Sequence, residues 1–215
     1  MLPHDQTASP LLSAHDVCFG YDSHDVIHQV SADFSPGTVT AVAGPNGSGK
    51  STFVELLAGV HNPRRGAITR HGKLALVVQR PSTPDTLPVT VRDVVAIGTW
   101  GRRSRRVRRA EREQAIAEAI DRVGLNGLEQ RTFGELSGGQ RQRALLAQGI
   151  VQQTEILLLD EPAAGLDAAS RQGTREILAE EAARGATIVC VTHDEESIAA
   201  ADHVLRFESG RIVGR

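Results

Sequence analysis

The pattern of apolar and polar positions changes along the chain from alternation to short, continuous apolar runs. Residues 11–34 have a strand-like pattern, in which Val30, Ala32 and Phe34 alternate with polar residues before the turn Ser35-Pro36-Gly37, and this predicts an antiparallel sheet. Residues 38–43, 156–159 and 187–192 are apolar or β-branched throughout, which is typical of strands buried in an open α/β sheet. The pattern therefore predicts an α/β fold with an N-terminal antiparallel β subdomain.

Helical periods and turn residues divide the rest of the sequence. Helices are predicted at residues 51–59, 110–123 and 141–151. Residues 67–78 predict a short hairpin closed at His71-Gly72, and residues 205–213 predict a final hairpin.

These elements define an expected domain organisation. Residues 11–215 are expected to form one domain, with an inserted α-helical subdomain at about residues 80–150, and residues 1–10 are expected to be a disordered leader. The subdomain contains a run of basic residues that suits phospholipid head groups or an acidic partner surface, and that fits a solvated helix face equally well. The run consists of Arg102, Arg103, Arg105, Arg106, Arg108 and Arg109.

Composition narrows the classes of function. With 24 basic and 26 acidic side chains, a net charge of −2 gives no reason to expect a nucleic-acid partner. Cys18 and Cys190 lie far apart in apolar runs, which predicts buried free thiols in a reducing cytosol. No apolar run approaches the length of a membrane span, so we expect a soluble chain that reaches a membrane only through a partner.

A glycine-rich loop stands between the first buried strand and the first helix. Glycines lack a Cβ, so the loop can turn tightly and aim its N–H groups, and the helix N-terminus behind them, at a β-phosphate. Lys50 can then reach the β- and γ-phosphates, and the Ser51 hydroxyl can bind Mg²⁺. A Gly-rich turn that matches by chance is the alternative. The loop residues are Gly44, Pro45, Asn46, Gly47, Ser48, Gly49, Lys50, Ser51 and Thr52.

A second helix with an N-terminus suited to an anion begins at Ser137, Gly138, Gly139 and Gln140. A single chain would then have two helix N-termini that can bind phosphate but only one set of catalytic groups, which is an unbalanced site. Two copies arranged head to tail would balance it, each loop being covered by the other copy's LSGGQ. Taken alone, however, the same glycines would suit a flexible linker better.

Polar side chains follow several of the predicted strands. Asp160 ends an apolar run and can bind Mg²⁺, whereas Glu161 projects differently and can orient or deprotonate a water. His193 stands where a ring nitrogen could bond a γ-phosphate, although a strand-end histidine is usually structural. Gln79 could contact Mg²⁺ or the attacking water, but it could equally be a solvent-exposed amide at the end of a strand. The predicted metal ligands are Ser51, Gln79 and Asp160, and the predicted catalytic residues are Glu161, His193 and Gln79.

Tyr21, the only tyrosine, lies in the turn of the predicted antiparallel sheet. Its flat ring could stack on an adenine, or it could merely cover a hairpin, and the residue type does not distinguish the two.

The order and combination of these motifs resemble the ATP-binding subunit of ATP-binding-cassette (ABC) transporters from Leu11 to Val213. GPNGSGKST is similar to the family's Walker A motif, ILLLDE to its Walker B motif and LSGGQ to its signature motif. Tyr21 matches the adenine-stacking position, Gln79 the Q-loop, Asp167 the D-loop and His193 the switch histidine. Ala163 departs from the Thr or Ser that often follows Glu-Pro.

The resemblance implies a P-loop ATPase that uses ATP and Mg²⁺. It also implies a head-to-tail homodimer that closes on ATP and drives a separate permease, on the cytoplasmic side of a bacterial cell membrane. Chromosome-maintenance ATPases need a coiled coil longer than residues 79–136 allow, and translation factors carry two cassettes. The stretch QRPSTPDTLPVTVRDVVAIG resembles zinc and manganese importers, which work with an extracytoplasmic binding protein; siderophore or haem importers and small exporters are the alternatives.

Overall fold

The chain folds into two sheets with helices on both faces of the larger one. The structure, a computed structural model, describes residues 10–22, 24–78, 88–100 and 109–214. Its strands are β1 (Leu12–Tyr21), β2 (His24–Phe34), β3 (Val39–Ala43), β4 (Arg65–Arg70), β5 (Leu74–Val77), β6 (Ile156–Asp160), β7 (Thr187–Val191), β8 (His203–Glu208) and β9 (Arg211–Gly214). Its helices are α1 (Lys50–Ala58), α2 (Val91–Ile97), α3 (Arg109–Arg122), α4 (Gly138–Ile150), α5 (Ala168–Ala183) and α6 (Glu195–Ala199), with a 3₁₀ turn at Phe133–Glu135.

The predicted antiparallel sheet is confirmed, with the strand order β2-β1-β4. The larger sheet has the order β5-β6-β7-β3-β8-β9, and its strands are parallel except for the pair β8 and β9. That antiparallel pair is the predicted final hairpin, and it turns through Ser209 and Gly210, both at positive φ. The α/β fold with an N-terminal antiparallel sheet is therefore as the sequence pattern indicates.

The hairpin predicted at residues 67–78 is wrong. Strand β4 pairs antiparallel with β1, matching Leu12 with Arg70, whereas β5 pairs parallel with β6, matching Leu74 with Ile156. The turn at Gly72, with φ of 126°, thus carries the chain from one sheet to the other. A turn signal between two apolar runs says that the chain bends, but the strand that each run pairs with is decided by long-range packing.

The central strands are buried on both faces, and each face packs into a different cluster. Ile156 and Leu158 of β6 join α1 and the antiparallel sheet, whereas Leu157 and Leu159 join α2, α3 and α4. Successive side chains of a strand point to opposite faces, so a continuous apolar run supplies both clusters at once. The sheet therefore holds α1 on one face and the helices of the interval 91–150 on the other.

Helices α2, α3 and α4 all lie between β5 and β6 in the chain. Helix α2 begins with a capping box, in which the side chains of Thr90 and Asp93 each accept a hydrogen bond from the other's backbone N–H. The limits of a helical subdomain within this interval stay a prediction. In the described parts of the chain, the longest helix, α5, has 16 residues, and none has the length and apolar character needed to cross a bilayer.

The two cysteines differ in burial. Both are free thiols, but only Cys190 is buried, and burial raises the pKa of its thiol to about 12. The predicted burial of Cys18 is wrong: it lies between the buried Val17 and Phe19 of β1, so its side chain points to the opposite, partly exposed face.

Two helical glycines provide a matched test of the packing. A Cβ at Gly149 in α4 would lie 2.8 Å from Cγ2 of Val77, whereas a Cβ at Gly173 in α5 meets nothing within 4 Å. We expect Gly173→Ala to raise the free energy of unfolding by roughly 0.4–1 kcal/mol, because the unfolded chain loses conformational freedom. Gly149→Ala should lower it by roughly 1–3 kcal/mol through overpacking. Urea unfolding of both variants measures this, and equal effects of the same sign would contradict the packing described.

Candidate active site

The glycine-rich loop follows β3 and is shaped by contacts that only glycine permits. Gly44 has φ of 147°, and a Cβ there would lie 2.1 Å from the carbonyl oxygen of Phe207. Gly49 has φ of 100°, and a Cβ there would lie 2.9 Å from Cδ1 of Ile27. Gly47 is also at positive φ, but it faces open space. The loop is therefore clamped at both ends and open in the middle, so its backbone can approach a ligand closely.

Lysine and serine side chains complete the interior of the loop. Nζ of Lys50, which is buried, donates to the carbonyl oxygens of Gly44 and Pro45, each at 2.8 Å. The buried Oγ of Ser48 has no hydrogen-bond partner in the part of the chain that the structure describes. A buried cation within a ring of backbone groups, beside an unsatisfied hydroxyl, suits a multiply charged anion such as a nucleotide phosphate.

The metal ligands predicted on α1 and β6 meet, since Oγ of Ser51 donates to Oδ1 of Asp160 at 3.0 Å. Burial raises the pKa of the Asp160 carboxyl; the bond from Ser51 opposes this rise, and the neighbouring Glu161 and Glu55 charges add to it. A hydroxyl and a carboxylate are hard oxygen ligands of the kind that Mg²⁺ prefers, and crowding by acidic groups favours a cation. The residues present therefore fit Mg²⁺.

Glu161 leaves the sheet in an unusual backbone conformation. Its φ is 48°, in the left-handed region, and its N–H donates to the carbonyl oxygen of Val191 at 3.0 Å. Its Oε1 lies 3.7 Å from Nδ1 of His193, which follows β7. The structure thus brings Asp160, Glu161 and His193 together at the carboxyl edge of the sheet. A non-glycine residue held at positive φ costs of order 1–3 kcal/mol and is typical of functional sites.

A cleft of about 390 Å³ lies over the loop. Apart from Val26 of β2, it is lined by the residues that the sequence indicates: Asn46, Gly47, Gly49, Lys50, Ser51, Thr52 and Glu161. Neither Tyr21 nor the segment 137–140 is part of this lining. Val26 was missed, because an aliphatic strand residue gives no signal of a site.

The helix predicted at LSGGQ is capped by its own side chains. Oγ of Ser137 accepts from the N–H of Gln140 at 3.3 Å, and Oε1 of Gln140 accepts from the N–H of Ser137 at 3.0 Å. This is a capping box, and the pattern Ser-x-x-Gln is the signal that could have predicted it. A Cβ on Gly139 would lie 2.2 Å from Oγ of Ser170, so the helix start packs directly on α5. The motif is an ordered helix start, which excludes the flexible linker.

Asp167 caps the helix that packs on this motif. Its carboxylate accepts hydrogen bonds from the N–H and the hydroxyl of Ser170, at 2.8 and 3.1 Å. The bond from the Ser170 N–H is the main cause that lowers the pKa of Asp167. The turn before Asp167 thus joins Glu161 to α5.

A charged network behind His193 is a feature that sequence reasoning missed. Asp194 caps α6 by accepting from the N–H and hydroxyl of Ser197 at 2.9 and 2.6 Å, and it pairs with Arg175 at 3.2 Å and Arg171 at 3.4 Å. Burial alone would raise the pKa of Asp194, but the bonds from Ser197 and the two guanidinium charges lower it overall. Asp194 anchors the backbone next to His193 to α5.

Tyr21 ends β1 with its side chain turned towards α1. Its hydroxyl lies 3.4 Å from Oε2 of Glu55 and 3.5 Å from Nε2 of His61, and 45% of the residue is exposed. Gln79 and the basic positions 102–108 lie outside the described residues; Arg109 begins α3 and is exposed.

Comparison with known proteins decides the family. Residues 27–164, more than half of the chain, match the family described as ABC transporter. The chain belongs to the ABC transporter family. It is an ATP-binding and ATP-hydrolysing subunit of such a transporter, so the expected fold class, enzyme class and family are confirmed.

Similar proteins carry names from metal transport. A manganese transport system ATP-binding protein of Synechocystis sp. is 36% identical over 83% of this chain and 74% of its own length. A zinc transport system ATP-binding protein of Treponema pallidum is 35% identical over 86% of this chain and 73% of its own. A solved inward-facing ABC transporter, described as of metal-chelate type, is 32% identical with a TM-score of 0.84, covering 94% of this chain and 81% of that one.

The Asp194 network predicts a pH-dependent contribution to stability. A carboxyl whose pKa is lowered on folding stabilises the protein above its unfolded pKa, about 3.9, and loses this effect as pH falls through its folded pKa. Asp194→Asn, which keeps a capping oxygen, should lower the free energy of unfolding by roughly 1 kcal/mol at pH 7, and the deficit should shrink below about pH 4.

Urea unfolding across pH measures this effect, with Asp33→Asn at an exposed strand position as the control. A deficit at pH 7 that is unchanged at pH 3 would exclude a contribution from the Asp194 charge.

Proposed function

We propose that the chain hydrolyses ATP at the glycine-rich loop and thereby powers import of a transition-metal ion, zinc or manganese, through a separate permease. The observation that carries the ATPase site is the meeting of Ser51 with Asp160 and of Glu161 with His193 beside Lys50. These groups come from three separate stretches of sequence. Phosphate, metal and water chemistry all need such groups within reach of one another.

Each group then has a distinct task. The N–H groups of the loop, residues 44–52, and Nζ of Lys50 hold the β- and γ-phosphates. Ser51 and Asp160, with Gln79 as a further ligand, hold Mg²⁺, which when bound neutralises phosphate charge. The Lys50 side chain is already buried, so it loses little conformational entropy when its ammonium group moves from the loop carbonyls to a phosphate.

Glu161 is proposed as the base that accepts a proton from the attacking water. Its backbone N–H is fixed to Val191, which directs the side chain away from the sheet and towards the cleft that it lines. His193 lies against the Glu161 carboxylate and is proposed to donate to the γ-phosphate. Gln79 is proposed to orient the same water.

Two copies of the chain are proposed to form the complete site. Tyr21 stacks on the adenine, and the partner copy covers the phosphates with its own Ser137, Gly138, Gly139 and Gln140. Support comes from the cleft, whose lining within one chain excludes residues 137–140. A helix N-terminus ordered by its own capping box is ready to meet an anion without rearrangement.

The permease is proposed to dock on the segment from Gln79 to Trp100, at the cytoplasmic face of a bacterial membrane. Within the described part of this segment, Ile97 and Trp100 are exposed, with Trp100 at 69%. Exposed large apolar side chains suit a protein partner. An extracytoplasmic binding protein would deliver the ion, and no nucleic acid is involved.

Zinc or manganese is favoured because relatives named for these two ions match most of the chain. A second candidate is a metal chelate such as a siderophore or haem, since the solved transporter described as metal-chelate type matches over a similar extent. The nucleotide site would serve either cargo equally, because specificity for cargo lies in partner surfaces.

Replacement of Glu161 tests the proposed chemistry. Glu161→Gln keeps the size and the hydrogen-bonding reach but removes the base, so ATP should still bind while hydrolysis slows by roughly 10²–10⁴-fold. Phosphate release by the purified variant with its permease measures the rate, and fluorescent-nucleotide titration measures binding. Wild-type turnover would show that another group accepts the proton.

The cargo is tested by uptake in cells that carry Lys50→Ala, because loss of the phosphate-binding ammonium should stop transport. Lys73→Ala, at the only other lysine, is the control. We expect radiolabelled zinc or manganese uptake to fall to background with Lys50→Ala and to stay normal with Lys73→Ala. Normal uptake of both ions, with loss of siderophore or haem uptake, would instead establish the chelate.

A further inference from the structure

The aromatic corner, defined as Phe19, Tyr21, Glu55 and His61, joins the antiparallel sheet to α1. The rings of Phe19 and His61 stack with centroids 5.2 Å apart. The Tyr21 ring stands perpendicular to both, with centroid distances of 5.1 Å to Phe19 and 5.5 Å to His61. The tyrosine is therefore held in one orientation by two other rings, although nearly half of it is exposed.

Polar contacts fix the outer end of the same ring. Oε2 of Glu55 lies 3.4 Å from the Tyr21 hydroxyl and 3.4 Å from Nε2 of His61, while the hydroxyl lies 3.5 Å from Nε2. The three polar groups thus form a closed triangle. The Glu55 and His61 side chains are 38% and 33% exposed, and exposed pairs of this kind contribute little to stability. Stability alone is a weak reason for the arrangement.

Helix α1 connects this corner to the phosphate end of the site. Glu55 is four residues after Ser51, so both side chains lie on the same face of α1, roughly 6 Å apart along its axis. The charge of Glu55 also acts on Asp160, the partner of Ser51. One rigid helix therefore carries both the group that holds Tyr21 and the groups proposed to hold the phosphates and the metal.

We propose that Glu55 and His61 are positioning residues that fix the Tyr21 ring relative to α1, and that they thereby set the KM for ATP and the preference for adenine over smaller bases. The inference rests on the proposed function, in which Tyr21 stacks on the base. Glu55 and His61 touch neither base nor phosphate in this scheme; they act through Tyr21. A ring held in place before the nucleotide arrives loses less freedom on binding, which favours affinity.

The test compares KM and kcat for ATP and CTP in the full chain with its permease. His61→Ala and Glu55→Gln should raise the KM for ATP roughly three- to tenfold, because base stacking supplies a large part of base affinity. Both variants should also narrow the difference in KM between ATP and CTP. His61→Ala should leave kcat within about twofold, since His61 does not reach the proposed chemistry. His61→Gln, which retains a side-chain donor, should restore the KM. His71→Ala, at an exposed histidine elsewhere, is the control.

A spectroscopic readout separates positioning from mere folding. The chain has one tyrosine and one tryptophan, so in a Trp100→Phe background the tyrosine emission reports on Tyr21 alone. ATP should quench this emission in the background protein, and His61→Ala should shift the quenching curve to higher ATP concentration in step with KM.

The outcomes distinguish this inference from the proposed function. A raised KM with Tyr21→Ala but an unchanged or lowered KM with both His61→Ala and Glu55→Gln would overturn the positioning role and leave the ATPase site intact. An unchanged KM with Tyr21→Ala would overturn the inference together with the adenine-stacking role. A fall in unfolding midpoint without any shift of the quenching curve would also overturn it, since the corner would then be purely structural.

Discussion

The parallel pairing of β6, β7 and β3 is the constraint on which the rest of the structure depends. Register brings Asp160 and Val42 alongside the same residue, Val191, although the three lie far apart in sequence. The loop, the acidic pair and His193 all follow directly from these strand ends. Because side chains alternate, a slip of one residue would turn Asp160 to the other face, away from Ser51. The geometry of the site is therefore a consequence of the sheet register.

Burial on both faces is what makes this register secure. Strand β6 places alternate side chains in two separate apolar clusters. A slip of one residue would move each side chain into the other cluster, where its volume would not fit the packing. The same rigidity allows Glu161 to adopt a left-handed backbone, because its N–H stays bonded to Val191. Strain of this kind persists only where the surrounding structure determines the conformation, as it does at the end of a doubly buried strand.

Order before binding is a property shared by the separate parts of the site. The loop is clamped at Gly44 and Gly49, α4 is capped by Ser137 with Gln140, and α6 is capped by Asp194, which two arginines hold. The two helix caps satisfy local backbone groups with nearby side chains, the loop is held by close contacts at its two glycines, and none of these devices needs a ligand. Groups fixed in this way lose little entropy when a ligand or a partner arrives, so more of the contact energy appears as affinity.

The sequence by itself determined the features that depend on neighbours in the chain. The glycine-rich loop, its flanking strand and helix, the apolar runs, the acidic pair after β6 and the final hairpin were all predictable, because turn chemistry and periodicity act over a few residues. The pattern Ser137-x-x-Gln140 also held enough information to predict its capping box.

Only the tertiary structure decided which elements meet. Residues 67–78 were predicted as one hairpin, but β4 and β5 belong to different sheets, since each strand pairs where its apolar side chains find a complementary face. The contacts of Tyr21 with Glu55 and His61, of Val26 with the cleft, and of Arg175 with Asp194 join distant stretches of chain. No local pattern encodes them, because they arise from the packing of the antiparallel sheet on α1 and of α5 on α6.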